Sequence, residues 1–269
     1  MSDADVRLAA DVVLSRVAGQ HLLVLCDFDG TLCEFDADPE AVWLSQSRRA
    51  LLDGIAAGRA ATIAIVSGRR AHDVKRRTML APGTYYAGLH GLEIDGAGDR
   101  YEHPSVGRTD GVLHTLAGSI QAALSRLPGT FLEDKEHSIV AHFRAASAED
   151  GARAEEAMLR LAKPHLDSGA LRTMQGAFML ELMPNVDWHK GSAVDWIRAR
   201  VMRQHGQAWP LYIGDDLTDE DGFDAVRGHG VSVAASPKAR NADFAVEGPA
   251  EVEALLRTVA AELRTATQV

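Results

Sequence analysis

Two carboxylates, Asp27 and Asp29, stand two positions apart directly after the apolar run Leu22-Leu23-Val24-Leu25-Cys26, and Gly30 and Thr31 follow them. An apolar run ending at a glycine turn reads as a strand buried on both faces, so the charges fall where that strand stops. In an open parallel sheet the carboxyl ends of the strands border the crevice in which ligands bind. Residues i and i+2 of an extended segment point the same way, so both carboxylates address one reacting centre; Gly30 permits a sharp turn and Thr31 adds a hydroxyl. Neighbouring carboxylates repel each other, and a hard divalent cation such as magnesium is the usual remedy. One Asp is then placed to attack phosphorus and the other to pass protons between the leaving and attacking oxygens. Taken alone, the same four residues are also ordinary turn chemistry after a strand.

Other polar residues sit at comparable places. Ser67-Gly68-Arg69 follows the apolar run 61–66; a hydroxyl and backbone amides at a helix start bind phosphate, and Arg69 offers a bidentate clamp, although a plain Ser N-cap has the same signature. Lys190 falls at the start of a helical stretch, the end of the dipole that favours anions; a phosphate beside it would explain the mismatch, and a solvent-facing Lys would cost little. Leu211-Tyr212-Ile213-Gly214 delivers Asp215-Asp216-Leu217-Thr218-Asp219-Glu220-Asp221, an acidic loop that calls for a cation. Thr218 is expected to N-cap the helix that follows. His90 and Glu93 either face the same cleft or are polar hairpin residues.

The elements that must position these groups alternate as in an α/β fold. Helices are expected over 5–17, 46–57, 188–204 and 249–263, and strands at 22–26, 61–66, 85–88, 211–214, 230–234 and 244–246. From about residue 108 the rhythm changes to helix (109–127), strand (131–134), strand (138–143), helix (147–163), strand (169–174) and strand (178–182). That order predicts a small open sheet with helices on one face, inserted into the larger fold. The expected organisation is a core of residues 1–107 and 185–269 with an inserted unit of residues 108–184.

A chain of 269 residues, 46% hydrophobic, can bury one large core or two modest ones. Its formal net charge of −10, spread along the sequence, argues against a nucleic-acid or anionic-membrane partner, so an anionic substrate needs local cations. Only Cys26 and Cys33 are present, too few for a disulfide framework. With an acidic N-terminus and no bilayer-length apolar run, a cytoplasmic protein is expected, as a monomer or small homo-oligomer.

The ordered set Asp27-Phe28-Asp29-Gly30-Thr31-Leu32, Ser67-Gly68-Arg69, Lys190-Gly191 and Gly214-Asp215-Asp216 resembles the phosphatases of the haloacid dehalogenase (HAD) superfamily. The resemblance implies a Rossmann-like parallel-sheet core with an inserted α/β (C2B-type) cap. Within the superfamily, Gly88-Leu89-His90-Gly91-Leu92-Glu93, Glu133-Asp134-Lys135, His142-Phe143-Arg144 and the run 214–223 resemble trehalose-6-phosphate phosphatases. By that resemblance Asp27 is the nucleophile, Asp29 the acid and base, and Ser67 and Lys190 hold the phosphoryl group. Magnesium is expected on Asp27, the Asp29 backbone carbonyl and Asp215, with Asp216 and Asp219 in support. Sugar contacts are expected from Arg69, His90 and Glu93 in the core and from Lys135, Arg144 and Glu181 in the cap. Ala177 stands where the family commonly carries a Lys. That difference keeps other phosphorylated glycosides open as substrates, as it does a phosphosugar mutase or a non-catalytic sensor.

Overall fold

The computed structural model describes residues 3–17, 20–36, 38–58, 61–176 and 178–266. In chain order the first elements are α1 (Asp3–Val17), β1 (His21–Cys26), α2 (Gln46–Ala57), β2 (Ala61–Val66), α3 (Ala71–Thr78), β3 (Tyr85–Gly88), β4 (Glu93–Gly96) and β5 (Asp99–Glu102). They are followed by α4 (Asp110–Leu124), β6 (Phe131–Asp134), β7 (Ile139–His142), α5 (Ala148–Asp167), β8 (Leu171–Gly176) and β9 (Met179–Pro184). The chain then continues with α6 (Lys190–His205), β10 (Ala208–Gly214), α7 (Glu220–Val226), β11 (Val231–Ala234), β12 (Phe244–Ala245) and α8 (Gly248–Ala266). Contacts divide the chain into two units, Met1–Tyr101 with Trp188–Val269, and Glu102–Asp187.

In the first unit a sheet ordered β12-β11-β10-β1-β2-β3-β4-β5 places β1 near its middle, paired in parallel with β10 and β2. Pairing is parallel from β12 to β3, and β4 turns back antiparallel on β3. Both faces of β1 are buried, and alternate residues serve opposite cores. Leu22, Val24 and Cys26 pack with Ala9, Val13, Leu52, Ile55 and Leu255 of α1, α2 and α8. Leu23 and Leu25 pack with Val194, Ile197, Val201 and Phe223 of α6 and α7. This period of two explains the unbroken apolar run, and carried one step further it turns Asp27 toward the α6 side. The result is the Rossmann-like sandwich expected of the sequence.

Three details depart from the sequence reading. Strand β10 starts at Ala208 rather than at 211 and runs through Pro210; pairing with β11 begins only at Leu211, so the missing N–H falls where that ladder has not started. Helix α5 continues past Pro164 to Asp167, its last turn secured by Leu166 packing on the apolar cluster beneath it. Thr218 does not cap α7. It lies within a 3-10 turn, Leu217–Asp219, whose N-cap is Asp216.

The second unit is a four-stranded antiparallel sheet ordered β6-β7-β9-β8. Leu113, Leu116 and Ile120 of α4 and Ala154, Met158 and Ala162 of α5 cover one face, meeting Ile139, Ala141, Leu180 and Leu182. The alternation that sends Leu180 and Leu182 into this cluster turns Glu181 to the other face.

Candidate active site

The strand ends of β1 and β10 and the start of α6 converge on three carboxylates and one ammonium. Lys190 is 3% exposed, and its Nζ donates to Asp27 Oδ1 and to Asp219 Oδ1, each at 2.7 Å. A cation at the first residue of a helix is explained by these two anions rather than by solvent. Asp219 is fully buried and is spent on holding the loop: Oδ1 also accepts from the Tyr212 hydroxyl at 2.8 Å, while Oδ2 accepts the backbone N–H groups of Asp215 and Asp216 at 3.0 and 3.1 Å. Asp216 in turn accepts from the Leu217 N–H. Asp215 is buried and takes the Thr31 hydroxyl on Oδ1 at 3.1 Å.

Asp27, Asp215 and Asp219 each offer an oxygen within 4.8 Å of the others. Three buried carboxylates against one ammonium leave a net negative charge in a low-dielectric site, and an all-oxygen donor set of this kind fits a hard divalent cation. The titration of the groups reflects the imbalance. Burial pushes the Asp27 carboxyl well above the usual range, Lys190 opposes that, and Asp219 and Asp215 add to it. Burial, then Asp219, pushes Asp215 up to about 7. For Lys190 burial works against the charge, yet Asp219 and Asp27 outweigh it and raise its pKa.

Gly30 makes this packing possible. Its φ is +87°, and a Cβ there would lie 2.4 Å from Asp215 Oδ2 and 2.5 Å from Phe35 Cε2. Gly30→Ala is therefore expected to lower stability by at least about 1–2 kcal/mol and to weaken divalent-cation binding. Thermal melts with and without magnesium check this; a variant that melts and binds like the wild type would contradict the packing described.

Asp29 meets a different partner. Arg69 grips it with two parallel bonds, Nε to Oδ2 and Nη2 to Oδ1, both 2.7 Å. Ser67 is 1% exposed and its Oγ accepts from the Arg69 N–H at 3.1 Å, so one amide of the expected phosphate cradle is used internally. Ser67 stands four residues ahead of α3 and is not its N-cap. The start of α3 is served instead by Glu93, whose carboxylate accepts from the Ala71 N–H at 2.6 Å and from both Nε and Nη2 of Arg70. Leu89, His90 and Gly91 are three successive residues at positive φ. The His90 N–H bonds the Ser67 carbonyl, and a Cβ on Gly68 would lie 2.7 Å from the His90 ring, so the ring lies against the Ser67-Gly68 turn. Left-handed backbone at a non-glycine residue is strained and persists where the surroundings impose it, often beside functional groups.

A family model described as Trehalose-phosphatase matches residues 25–250, which takes in every group above. The chain belongs to the trehalose-phosphatase family. A trehalose-phosphate phosphatase of Mycobacterium avium (strain 104) is 35% identical over 257 residues, covering 92% of this chain and 64% of that protein. One of Mycobacterium tuberculosis (strain ATCC 25618 / H37Rv) is 34% identical over 250 residues, covering 90% and 62%. The chain thus spans less than two thirds of the length of these relatives. The C-terminal domain of C. albicans trehalose-6-phosphate phosphatase superposes with a TM-score of 0.79 at 21% identity, covering 94% of this chain and 96% of that one, which shows a shared HAD-type fold.

The second unit of this trehalose-phosphatase family member holds the remaining candidates. Glu181 is fully buried; its Oε1 accepts from the Ser138 hydroxyl at 2.5 Å and lies 3.4 Å from Lys135 Nζ. Beside them His142 Nε2 and Glu133 Oε2 are 2.8 Å apart. Burial works against the Glu133 charge, but the His142 hydrogen bond and Lys135 hold the carboxyl below its usual range. Arg144 lies 5.5 Å from the centre of the Phe178 ring, away from that cluster in sequence and pairing. Ala177 is outside the described residues. The sequence reading missed Tyr212 and Arg70. Tyr212 is a hydroxyl within a buried apolar strand, where an unexplained phenol needs a partner, and that was the available signal.

Proposed function

We propose that the protein hydrolyses trehalose 6-phosphate to trehalose and inorganic phosphate, as a magnesium-dependent phosphomonoesterase serving trehalose synthesis. The observation that carries this reading is the buried Asp27 bonded to Lys190, with Asp215 beside it and a second carboxylate, Asp29, two residues on. Membership of the trehalose-phosphatase family supports the choice of sugar. Bound by Asp27, the Asp29 backbone carbonyl and Asp215, magnesium would neutralise charge on the phosphoryl group and its ligands.

The chain's own residues supply the rest. Lys190 and Ser67 hold the phosphoryl oxygens. An Asp27 carboxylate oxygen attacks phosphorus as the bond to the sugar oxygen breaks, and Asp29 gives that oxygen its proton. Asp29 then takes a proton from water, whose oxygen attacks the aspartyl phosphate and regenerates the Asp27 carboxylate with release of phosphate. Such a reaction depends on positioning and charge neutralisation more than on covalent novelty. We assign residues 108–184 to substrate selection, with Lys135, Arg144 and Glu181 as its sugar-reading groups, and His90 and Glu93 as those of the core. Among the described residues no helix is long and apolar enough to cross a membrane, and both cysteines are free and buried. A reducing, cytoplasmic setting fits those thiols.

Product analysis tests the reaction class. Equal amounts of trehalose and phosphate are expected from trehalose 6-phosphate. An isomeric sugar phosphate, formed only with a bisphosphate activator, would point to a mutase.

Metal binding is expected to be coupled to protons. Between pH 4 and 7 the folded state binds more protons at Asp215 than the unfolded chain does, because its carboxyl rises from 3.8 to about 7 on folding. Without metal, that group makes stability fall as pH rises across this window. Magnesium binds the ionised form, so its affinity should rise with pH through 7 and protons should be released on binding. Calorimetry in buffers of different ionisation enthalpy measures the release; pH-independent affinity with no protons released would contradict the assignment.

A further inference from the structure

Arg69 is tied on both sides. Its fork holds both oxygens of Asp29, while Nη1 lies 3.5 Å from Asp73 Oδ2 and its Cζ lies 5.6 Å from the centre of the Phe28 ring. Asp73, in the first turn of α3, gathers two more guanidinium groups: Arg77 Nε on Oδ2 at 2.6 Å and Arg76 Nη2 on Oδ1 at 2.7 Å. Arg77 is itself fully buried and donates from Nη1 to the carbonyls of Glu40 and Val42, both at 3.0 Å. A first-turn acid whose only task was the helix dipole would not need three guanidinium partners. Arg69 is 8% exposed, so its direction is set by these contacts rather than by solvent.

We infer that Asp73, braced by Arg77, aims Arg69, and that Arg69 is the positioning residue that fixes the Asp29 carboxylate for proton transfer. The inference rests on the hydrolytic reading above. A bidentate pair fixes both the side-chain rotation and the plane of a carboxylate. When one of its two bonds opens, that oxygen meets the sugar's leaving oxygen while the other bond keeps the orientation. A displacement of about 1 Å at an acid or base is enough to slow a reaction greatly. Nothing in the chemistry requires Arg69 to touch the sugar for this role, and the resemblance that makes it a sugar contact predicts a different kinetic signature.

The test compares the magnesium-loaded wild type with Asp29→Asn, Arg69→Met, Arg69→Lys and Asp73→Asn, each variant also made in the Asp29→Asn background. The substrates are trehalose 6-phosphate and p-nitrophenyl phosphate, whose leaving group needs no proton. Arg69→Met is expected to lower kcat on the sugar phosphate by about 100-fold with KM little changed. The first-turnover release of p-nitrophenolate should stay near the wild-type rate. Arg69→Lys keeps the charge without the fork and should recover only a small part, and Asp73→Asn, which keeps the shape, should give the same pattern at about tenfold. In the Asp29→Asn background none of these changes should cost more, because their effect passes through Asp29. A raised KM with unchanged kcat, equal losses on both substrates, or full additivity with Asp29→Asn would overturn the inference. Should Arg69→Met fail to fold, the Arg69→Lys and Asp73→Asn pairs decide. A wild type inactive on both substrates would overturn the hydrolytic reading, and this inference with it.

Discussion

Replacing Asp27 by Asn lowers phosphate release by at least about 10⁴-fold and leaves the protein folded. The amide is a poor nucleophile, and no other carboxylate can take its place: Asp219 has both oxygens committed to Lys190, Tyr212 and two backbone N–H groups, and Asp29 is held by Arg69. The effect on stability has the opposite sign from most buried substitutions. Burial with Asp219 and Asp215 raises the Asp27 carboxyl far above its ordinary value despite Lys190, so its ionised form destabilises the metal-free fold at neutral pH. An Asn of the same shape keeps an oxygen for Lys190 and removes one of three crowded charges. In chelator at pH 8 the variant should melt at the wild-type temperature or above it. With magnesium the order should reverse, because the wild type keeps a ligand that the variant has lost. Substantial residual turnover would contradict the assignment of the nucleophile, and a melt far below the wild type in chelator would contradict the electrostatics.

Lys190→Met is expected to be the most destabilising single change at the site, by about 3–5 kcal/mol without metal. The ammonium is almost completely buried between Asp27 and Asp219 at 2.7 Å from each. A methionine occupies similar volume, so the loss is electrostatic: the carboxylates remain in a low-dielectric site with no fixed cation. Added magnesium should recover part of the melting temperature but little of the activity. Lys190 also binds the phosphoryl oxygens, and the loss of such a donor costs about 10²–10³ in kcat. Chemical denaturation in chelator and in magnesium reads the first effect, and phosphate release reads the second. A variant as stable as the wild type in chelator would show that Lys190 does not balance these charges.

Much of this architecture was legible in the sequence because burial leaves a periodic record. The run 22–26 is apolar throughout because alternate residues serve two cores, and the charged residues after it could only lie at the strand's end. The inserted unit was legible from the change of rhythm after residue 108. What was not legible involves partners far apart in the chain. Arg69 is 40 positions from Asp29, and no local pattern distinguishes a guanidinium aimed at a sugar from one holding a carboxylate. Glu93 served as the clearest instance of a polar residue with two readings; its carboxylate serves the start of α3 and Arg70. Ser67 was read as part of a helix start because Ser-Gly after a strand commonly is one, but α3 begins four residues later. Thr218 lost its expected cap to Asp216, because Asp219 reaches back to the Asp216 N–H and closes the turn one step earlier. Pro210 and Pro164 are tolerated for reasons of pairing and packing that composition does not carry.

The most direct measurement is inorganic phosphate release from trehalose 6-phosphate, sucrose 6-phosphate, glucose 6-phosphate and glucosylglycerol phosphate, with magnesium and with excess chelator, and with Asp27→Asn as the blank. The account predicts a strong preference for trehalose 6-phosphate, with all release abolished by chelator and by the substitution. Release from another sugar phosphate with trehalose 6-phosphate ignored would contradict the substrate, and release undiminished in Asp27→Asn would contradict the chemistry.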